Sequence, residues 1–451
     1  MADKMKTLIE TRYKQVINLE QKPAGLKKLP EEEDEPPSSK NDNRSKFFHN
    51  IPDYIWNDWK WQFRNRITTI DQLTDFIPLS NEEQAQLKLV IMRYPLSITP
   101  YYLSLIDPDD VNDPIRKQAI PSFLEIAMDS QGMEDPLTER KASVVPGLVH
   151  RYPDRALVVL TDICPMLCRH CTRKREWHHG RWVRTDEEIE AMLEYLCQNS
   201  NIRDVIISGG DPLTLTTRRL ESIISRIRAI SHIEIIRIGT RFPVVLPQRI
   251  DEELCDMLSK YGPIWLNTHF NHPREITPQS AKACDRLLRS GIPVNNQAVL
   301  LRGINDSIKT QLKLCHELLR IKVRPYYLFQ CDEVQGTEHL RTPVDTGIKI
   351  IEGMRGHTSG LAVPTFIVDI SHGGGKVPLE SNYVLSQNEN ELILKNFEGD
   401  IYHYRNPKYS EDSQIEEIVS AVNSTGDIIR NRDLSFRTQG AEDADRVSLR
   451  S

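Results

Sequence analysis

The 451-residue sequence has no run of 18 apolar residues, so no transmembrane helix is expected. Its opening stretch, MADKMKTLIETRYKQ, is charged throughout and lacks the apolar core of a secretory signal. Neither sign of charge dominates: 58 Lys and Arg stand against 64 Asp and Glu, a formal charge of −6. That balance gives no general attraction to nucleic acid or to an anionic membrane. Cysteine is sparse, eight residues in all, and five of these (Cys197, Cys255, Cys284, Cys315 and Cys331) are scattered singly, as small apolar core residues are. These absences lead to the expectation of a cytoplasmic chain with free thiols, with neither nucleic acid nor membrane among its partners. The length leaves room for two or three domains and a large core.

What is present is ordered along the chain. Residues 1–20 suit a short helix. Residues 21–46 are rich in proline, charge and small polar side chains and read as a flexible linker. Trp56, Trp59, Trp61 and Phe63, with helix starts near Asp71 and Asn81, predict a helical domain over 47–145 whose tryptophans serve core or subunit contact. From Arg155, apolar β-branched runs at 156–161, 204–208, 234–239, 264–269, 294–301 and 324–330 alternate with helix-like segments at 185–198, 216–230, 251–261, 278–290 and 307–321. That alternation predicts an α/β fold of parallel strands with right-handed crossovers, a partial (β/α)6 barrel over 146–376. Residues 377–451 form a C-terminal extension suited to oligomer contact.

Chemistry in such barrels sits at the C-terminal ends of the strands, and the unusual residues fall there. The first strand leads to Ile163–Arg175, ICPMLCRHCTRKR, with Cys164, Cys168 and Cys171 at the spacing C-x3-C-x2-C. Three thiolates can hold three irons of a four-iron, four-sulfur cube and leave the fourth open for a small molecule. A structural zinc site is the rival, but it wants a fourth ligand from a second pair, and His170 lies too close between its neighbours. The polar and basic residues Arg169, His170, Arg173, Lys174 and Arg175 are expected to lower the thiol pKa values. Later strands lead to Ser208-Gly209-Gly210-Asp211, Thr240-Arg241, His269 and Asp332, and the fifth contains Gln297.

A further apolar run, 361–370, ends in Asp369 and is followed by Ser371-His372-Gly373-Gly374-Gly375-Lys376. The glycines permit positive φ and close approach to a ligand. A nucleotide P-loop is excluded, because Ile370 stands where its first glycine belongs and Val377 where Ser or Thr should hold magnesium. Lys376 could instead form a Schiff base with pyridoxal phosphate, or the loop could be a surface turn.

The cysteine spacing resembles the radical S-adenosylmethionine superfamily. Together with GGGK-V-P, residues 47–404 closely resemble the lysine 2,3-aminomutase family. The resemblance implies a radical SAM barrel holding a 4Fe-4S cluster on Cys164, Cys168 and Cys171. S-adenosyl-L-methionine would be held by His269 and Gln297, with Ser208, Gly209, Gly210 and Asp211 receiving its methionyl amine. It implies pyridoxal 5′-phosphate on Lys376, its phosphate met by Arg151 and Arg155. Arg173 corresponds to the arginine that pairs with the substrate carboxylate. Asp332 and Asp369 correspond to the acids that bind the distal ammonium of lysine. The activity implied is an isomerase that migrates the α-amino group of L-lysine from C2 to C3, giving β-lysine, through an external aldimine and a 5′-deoxyadenosyl radical. A one-electron reductant such as flavodoxin or ferredoxin and a homo-oligomer, dimer or tetramer, are the implied partners.

Two departures from the family stand out. Ser307 occupies a position where zinc-binding members have cysteine, and no cysteine follows Cys331, so no structural zinc is expected. Phe329 replaces a tyrosine usual before the Gln-Cys-Asp stretch. Arginine, or another amino acid, is the alternative substrate. An iron–sulfur electron-transfer protein is the non-enzymatic alternative, although such a protein would normally supply a fourth cysteine.

Overall fold

The computed structural model describes residues 42–178 and 180–407, in two compact units of which the first ends at Ser381. The helix expected over 1–20, nearly all of the linker and the tail from 411 lie outside the described residues. Arg44–Phe47 already makes a turn of helix.

The centre of the first unit is a ten-stranded sheet in simple sequence order. β1 (Ser143–Val145) and β2 (Leu148–Tyr152) form an antiparallel entry to β3 (Arg155–Val159). Six parallel strands follow in turn: β4 (Asp204–Ser208), β5 (Ile235–Gly239), β6 (Ile264–Thr268), β7 (Val294–Leu300), β8 (Arg324–Gln330) and β9 (Thr365–Ile370). β10 (Gly375–Pro378) then turns back antiparallel on β9, with Lys376 opposite Asp369. All six expected barrel strands form, and the parallel run continues through a seventh, β9. In the β-branched run Val205-Ile206-Ile207 the first and third side chains are buried in the core and Ile206 faces the cavity, the alternation of a strand.

The five expected crossover helices are Asp186–Gln198, Thr217–Arg228, Glu252–Ser259, Pro278–Arg289 and Ile308–Arg320. Each starts one residue after a polar side chain that accepts a backbone N–H: Thr185, Thr216, Asp251, Thr277 and Ser307. Such caps satisfy donors that the first helical turn leaves open. Ser307 therefore has a capping duty here. The helix Val344–Met354, between β8 and β9, was not foreseen. It follows Pro343 without a side-chain cap and contains Gly347, normally a weak helix residue. The glycine is explained by packing: a Cβ there would lie 2.2 Å from the Phe366 ring of β9.

Before the sheet, short helices pack into the same apolar core as the strands, with Trp56 buried and Trp59 and Trp61 against it. Helices begin at Ile70 and Asn81, under capping boxes from Thr69 and Ser80. This helical layer grips the irregular cysteine segment from behind. The Leu167 N–H donates to Ser97 O at 3.0 Å and the Arg169 N–H to Gln118 O at 3.0 Å. The Arg169 guanidinium, fully buried, donates to Pro95 O at 2.8 Å and pairs with Glu125 at 2.5 and 2.9 Å. Lys174 Nζ meets the same carboxylate at 2.8 Å and Gly336 O at 2.8 Å. Burial alone would raise the Glu125 carboxyl, but the two cations hold it below its ordinary value. The second unit, from Asn382, contains a three-stranded antiparallel sheet, β11 (Val384–Gln387), β12 (Glu391–Lys395) and β13 (Ile401–Arg405).

Glu125→Gln should leave two buried cations undercompensated and destabilise the chain by about 3–5 kcal/mol. Urea unfolding measures this, and a loss below about 1 kcal/mol would show that the cluster does not hold the loop.

Candidate active site

A cavity of about 710 Å³ opens among the C-terminal ends of the strands and continues down the sheet's inner face. Every site residue expected from the sequence lines it: the three cysteines, Arg151, Arg155, Arg173, the segment Ser208–Asp211, His269, Gln297, Asp332, Asp369 and Lys376. The topology explains the gathering, since parallel strands deliver their C-terminal ends to one rim.

The cysteine segment leaves β3 beside the end of β4, where two glycines make the approach possible. A Cβ on Gly209, whose φ is +150°, would lie 2.5 Å from Thr161 O, and one on Gly210 would lie 2.4 Å from the Asp162 carbonyl carbon. The Asp211 N–H donates to Ile163 O at 2.8 Å, closing the contact. The Asp211 carboxylate itself is used internally: it accepts from Thr240 Oγ1 at 2.8 Å and from the N–H groups of Arg241 at 2.8 Å and Leu213 at 3.1 Å.

The expected lowering of thiol pKa by basic neighbours is corrected by the structure. Burial first, then Asp211 and the other two thiols, push Cys164 well above its ordinary value, and burial also raises Cys171. The nearby cations are committed elsewhere, Arg169 and Lys174 to Glu125, Arg173 and Arg175 to Glu139. Two sulfurs nevertheless receive donors: Arg241 Nη1 reaches Cys168 Sγ at 2.8 Å and the Arg173 N–H reaches Cys171 Sγ at 3.3 Å. Three thiols on one loop, two of them met by hydrogen-bond donors, form a donor set that fits an iron–sulfur cluster. The rival fourth ligand, His170, is buried, and its Nε2 faces Asn271 Nδ2 at 3.3 Å.

Across the cavity, the glycine loop carries the positive φ foreseen for it at Gly373 (+87°) and Gly375 (+88°). It delivers Lys376, whose Nζ contacts Asp369 Oδ2 and lies 5.5 Å from the centre of the Phe329 ring. The Lys376 N–H donates to the Tyr152 hydroxyl at 3.3 Å. Arg155 stacks over the Tyr152 ring at 4.1 Å. Arg151 places Nη1 3.3 Å from Leu137 O, while its Nη2 is buried without a hydrogen-bond partner among the described residues. An unmatched guanidinium nitrogen beside the Lys376 hairpin fits a phosphate-bearing group.

The two halves of the site have separate counterparts among known proteins: residues 158–314 match the radical SAM superfamily and residues 351–434 match lysine-2,3-aminomutase. The chain is 53% identical over 364 residues to the L-lysine 2,3-aminomutase of Clostridium subterminale, an alignment covering 81% of this chain and 88% of that protein. The chain belongs to the lysine 2,3-aminomutase family. It is also 48% identical to the L-lysine 2,3-aminomutase of Bacillus subtilis, covering 82% of this chain and 79% of that one. The glutamate 2,3-aminomutase of Clostridioides difficile is 44% identical, covering 77% and 82%. As a member of this aminomutase family the protein is an enzyme, an isomerase of the radical SAM superfamily. The family's cofactors are a 4Fe-4S cluster, S-adenosylmethionine and pyridoxal phosphate. No described helix is long and apolar enough to cross a membrane.

Sequence reasoning passed over three residues of this aminomutase site. Arg241 was noticed only as a polar strand end, yet its Nη2 also meets Gln118 at 2.6 Å and Glu275 at 2.7 Å, which fixes the fork on Cys168. Tyr152 and Glu139 lie in segments without periodic pattern, and nothing local marked them. Arg241→Gln removes the donor to Cys168 and should weaken cluster retention about tenfold or more. Iron release to a chelator, compared with the parent enzyme, measures it; an equal rate would detach Arg241 from the cluster site.

Proposed function

We propose that this enzyme moves the α-amino group of L-lysine from carbon 2 to carbon 3, giving β-lysine. The observation that carries the proposal is the pair Asp332 and Asp369, two acids lining the cavity that also holds Lys376. Burial first, and then Asp369, push Asp332 up to about 7. A cation between the two carboxylates relieves that cost; Lys376 Nζ, in contact with Asp369, is such a cation in the free chain, and the far end of a lysine side chain would supply one when that amine is taken by the cofactor. Relatives named as lysine aminomutases support the same substrate. An anionic side chain would meet two acids in this position and be repelled.

When bound, the cluster with S-adenosylmethionine supplies radical chemistry, and pyridoxal phosphate supplies a carbonyl to carry the migrating nitrogen. The chain's own work is placement. Lys376 would hold pyridoxal phosphate through its amine, with Arg151 and Arg155 for the phosphate. Ser208 to Asp211, His269 and Gln297, which line the same cavity, would hold S-adenosylmethionine. His269, kept near 4 by burial and then by Arg241, is neutral at physiological pH and offers hydrogen bonds without added charge. Arg173 takes the amino-acid carboxylate while the two aspartates take the distal ammonium. Held at both ends, the substrate turns one carbon toward an otherwise indiscriminate reagent. A one-electron reductant of the flavodoxin or ferredoxin kind completes the system, and a homo-oligomer is the proposed assembly.

The double variant Asp332→Lys with Asp369→Asn should lower kcat/KM for lysine about a hundredfold or more, the weight of about 3 kcal/mol for an uncompensated buried charge. Unchanged lysine kinetics would remove both acids from the substrate site. A pH dependence follows as well. Asp332 is neutral below about 7 and charged above it, and only the charged form attracts an ammonium. Lysine affinity should therefore fall as pH drops from 8 to 6, approaching about tenfold per unit, and Asp332→Asn should flatten the profile. A flat profile in the parent enzyme would contradict the assignment.

A further inference from the structure

Glu139 belongs to no regular element, yet it lines the cavity and faces two arginines. Its Oε1 accepts from Arg173 Nη2 at 2.7 Å and its Oε2 from Arg173 Nε at 2.9 Å, a bidentate pair along one edge of the guanidinium. Arg175 Nη2 donates to the same Oε2 at 2.7 Å. The carboxylate is thus gripped from two sides and cannot follow Arg173 if that side chain turns. On the opposite edge, Arg173 Nη1 donates to Gly209 O at 3.1 Å, at the end of β4. A guanidinium has five N–H donors. Glu139 takes two, and the Gly209 carbonyl and, at 3.5 Å, the Ser208 hydroxyl take the two on Nη1, which leaves one on Nη2 for a ligand.

The segment that carries Glu139 is itself tied to the far side of the cavity. The Asp135 carboxylate accepts from the N–H groups of Glu139 at 3.1 Å and Arg140 at 3.0 Å, which folds the segment into a turn. Pro136 O accepts the His372 N–H of the glycine loop at 2.8 Å, and Leu137 O accepts from Arg151 Nη1 at 3.3 Å. Thr138 crosses Gly373 so closely that a Cβ on that glycine would lie 2.9 Å from Thr138 Oγ1. A short strap, residues 135–140, therefore connects Arg173 to the loop that delivers Lys376.

We infer that Glu139 is a positioning residue that fixes which edge of Arg173 meets the substrate carboxylate, and that the strap indexes this contact to the Lys376 loop. The inference rests on the proposal that Arg173 receives that carboxylate. Carboxylate and α-amine are attached to the same substrate carbon, so their two protein partners must keep a fixed separation for the amine to reach the Lys376 side of the cavity. Glu139 and the strap supply that separation without touching the reacting atoms.

The test is anaerobic titration of the reconstituted enzyme, loaded with cluster and pyridoxal phosphate, with L-lysine and with L-lysinamide, which lacks the carboxylate. Binding is followed by the pyridoxal absorbance, with no turnover required. Glu139→Gln should weaken lysine binding about tenfold, the weight of one misdirected charge-assisted contact, and leave lysinamide binding within about twofold. Glu139→Asp, which keeps the charge but shortens its reach, should show the same selective loss at smaller size. Equal effects on both ligands, no effect on either, or failure of both variants to load the cluster would overturn the inference. If the parent enzyme itself does not distinguish lysine from lysinamide, the fault lies earlier, in the assignment of Arg173.

Discussion

The site depends on a buried ionic tie beneath a loop that has no regular structure of its own. Between the end of β3 and the helix Asp186–Gln198 the chain contains no strand or α-helix among the described residues, only a short 3-10 turn at Lys174–His178, and it carries the three cysteines that line the cavity. Glu125, reaching from the helical layer, binds Arg169 and Lys174 from within that loop, and Glu139 binds Arg173 and Arg175 just beyond. Two carboxylates thus hold four consecutive or near-consecutive cations on opposite sides of Cys171. Removing charge from such a place is costly because the partners stay buried. Burial is what raises Cys164 and Cys171, and the basic run does not overcome it because its charge is already matched.

The remaining geometry follows from the order of the strands. Seven parallel strands bring their C-terminal ends to one rim, and the β9–β10 hairpin folds Lys376 back onto Asp369. Asp369 is therefore set by the same register that sets Lys376, and Asp332 leaves the neighbouring strand β8. The two acids and the amine share one wall because β8 and β9 end there and β10 begins there. Opposite them, the Gly209–Gly210 contact draws the cysteine segment against β4, which brings Arg173 within reach of the Gly209 carbonyl.

Much of this was legible because burial leaves a periodic trace. Val205-Ile206-Ile207 and Ile235-Ile236 are short β-branched runs of the kind that strands use, and Thr185 or Ser307 before an amphipathic segment announces a helix start. The cysteines and the glycine loop were visible because few other arrangements need such spacing. The helix Val344–Met354 was hidden by Pro343 and Gly347, whose breaker character yields to packing against Phe366. β1 and β2 were too short and too exposed to leave an apolar pattern. Glu125 and Glu139 were invisible for a different reason. Each is a single acid outside any periodic pattern, Glu125 in the four-residue helix Leu124–Ala127 and Glu139 in an irregular stretch, and its meaning lies in arginines 34 to 44 residues away.

The central claim is that two acids, one arginine and one lysine hold an amino acid with a cationic side chain. The most direct measurement is anaerobic incubation of the reconstituted, reduced enzyme with S-adenosylmethionine, pyridoxal phosphate and, in separate reactions, lysine, arginine and glutamate, with products resolved by chromatography and mass. The account predicts conversion of lysine to an isomer of identical mass and different retention, with glutamate unchanged. Conversion of glutamate with lysine left intact would contradict it.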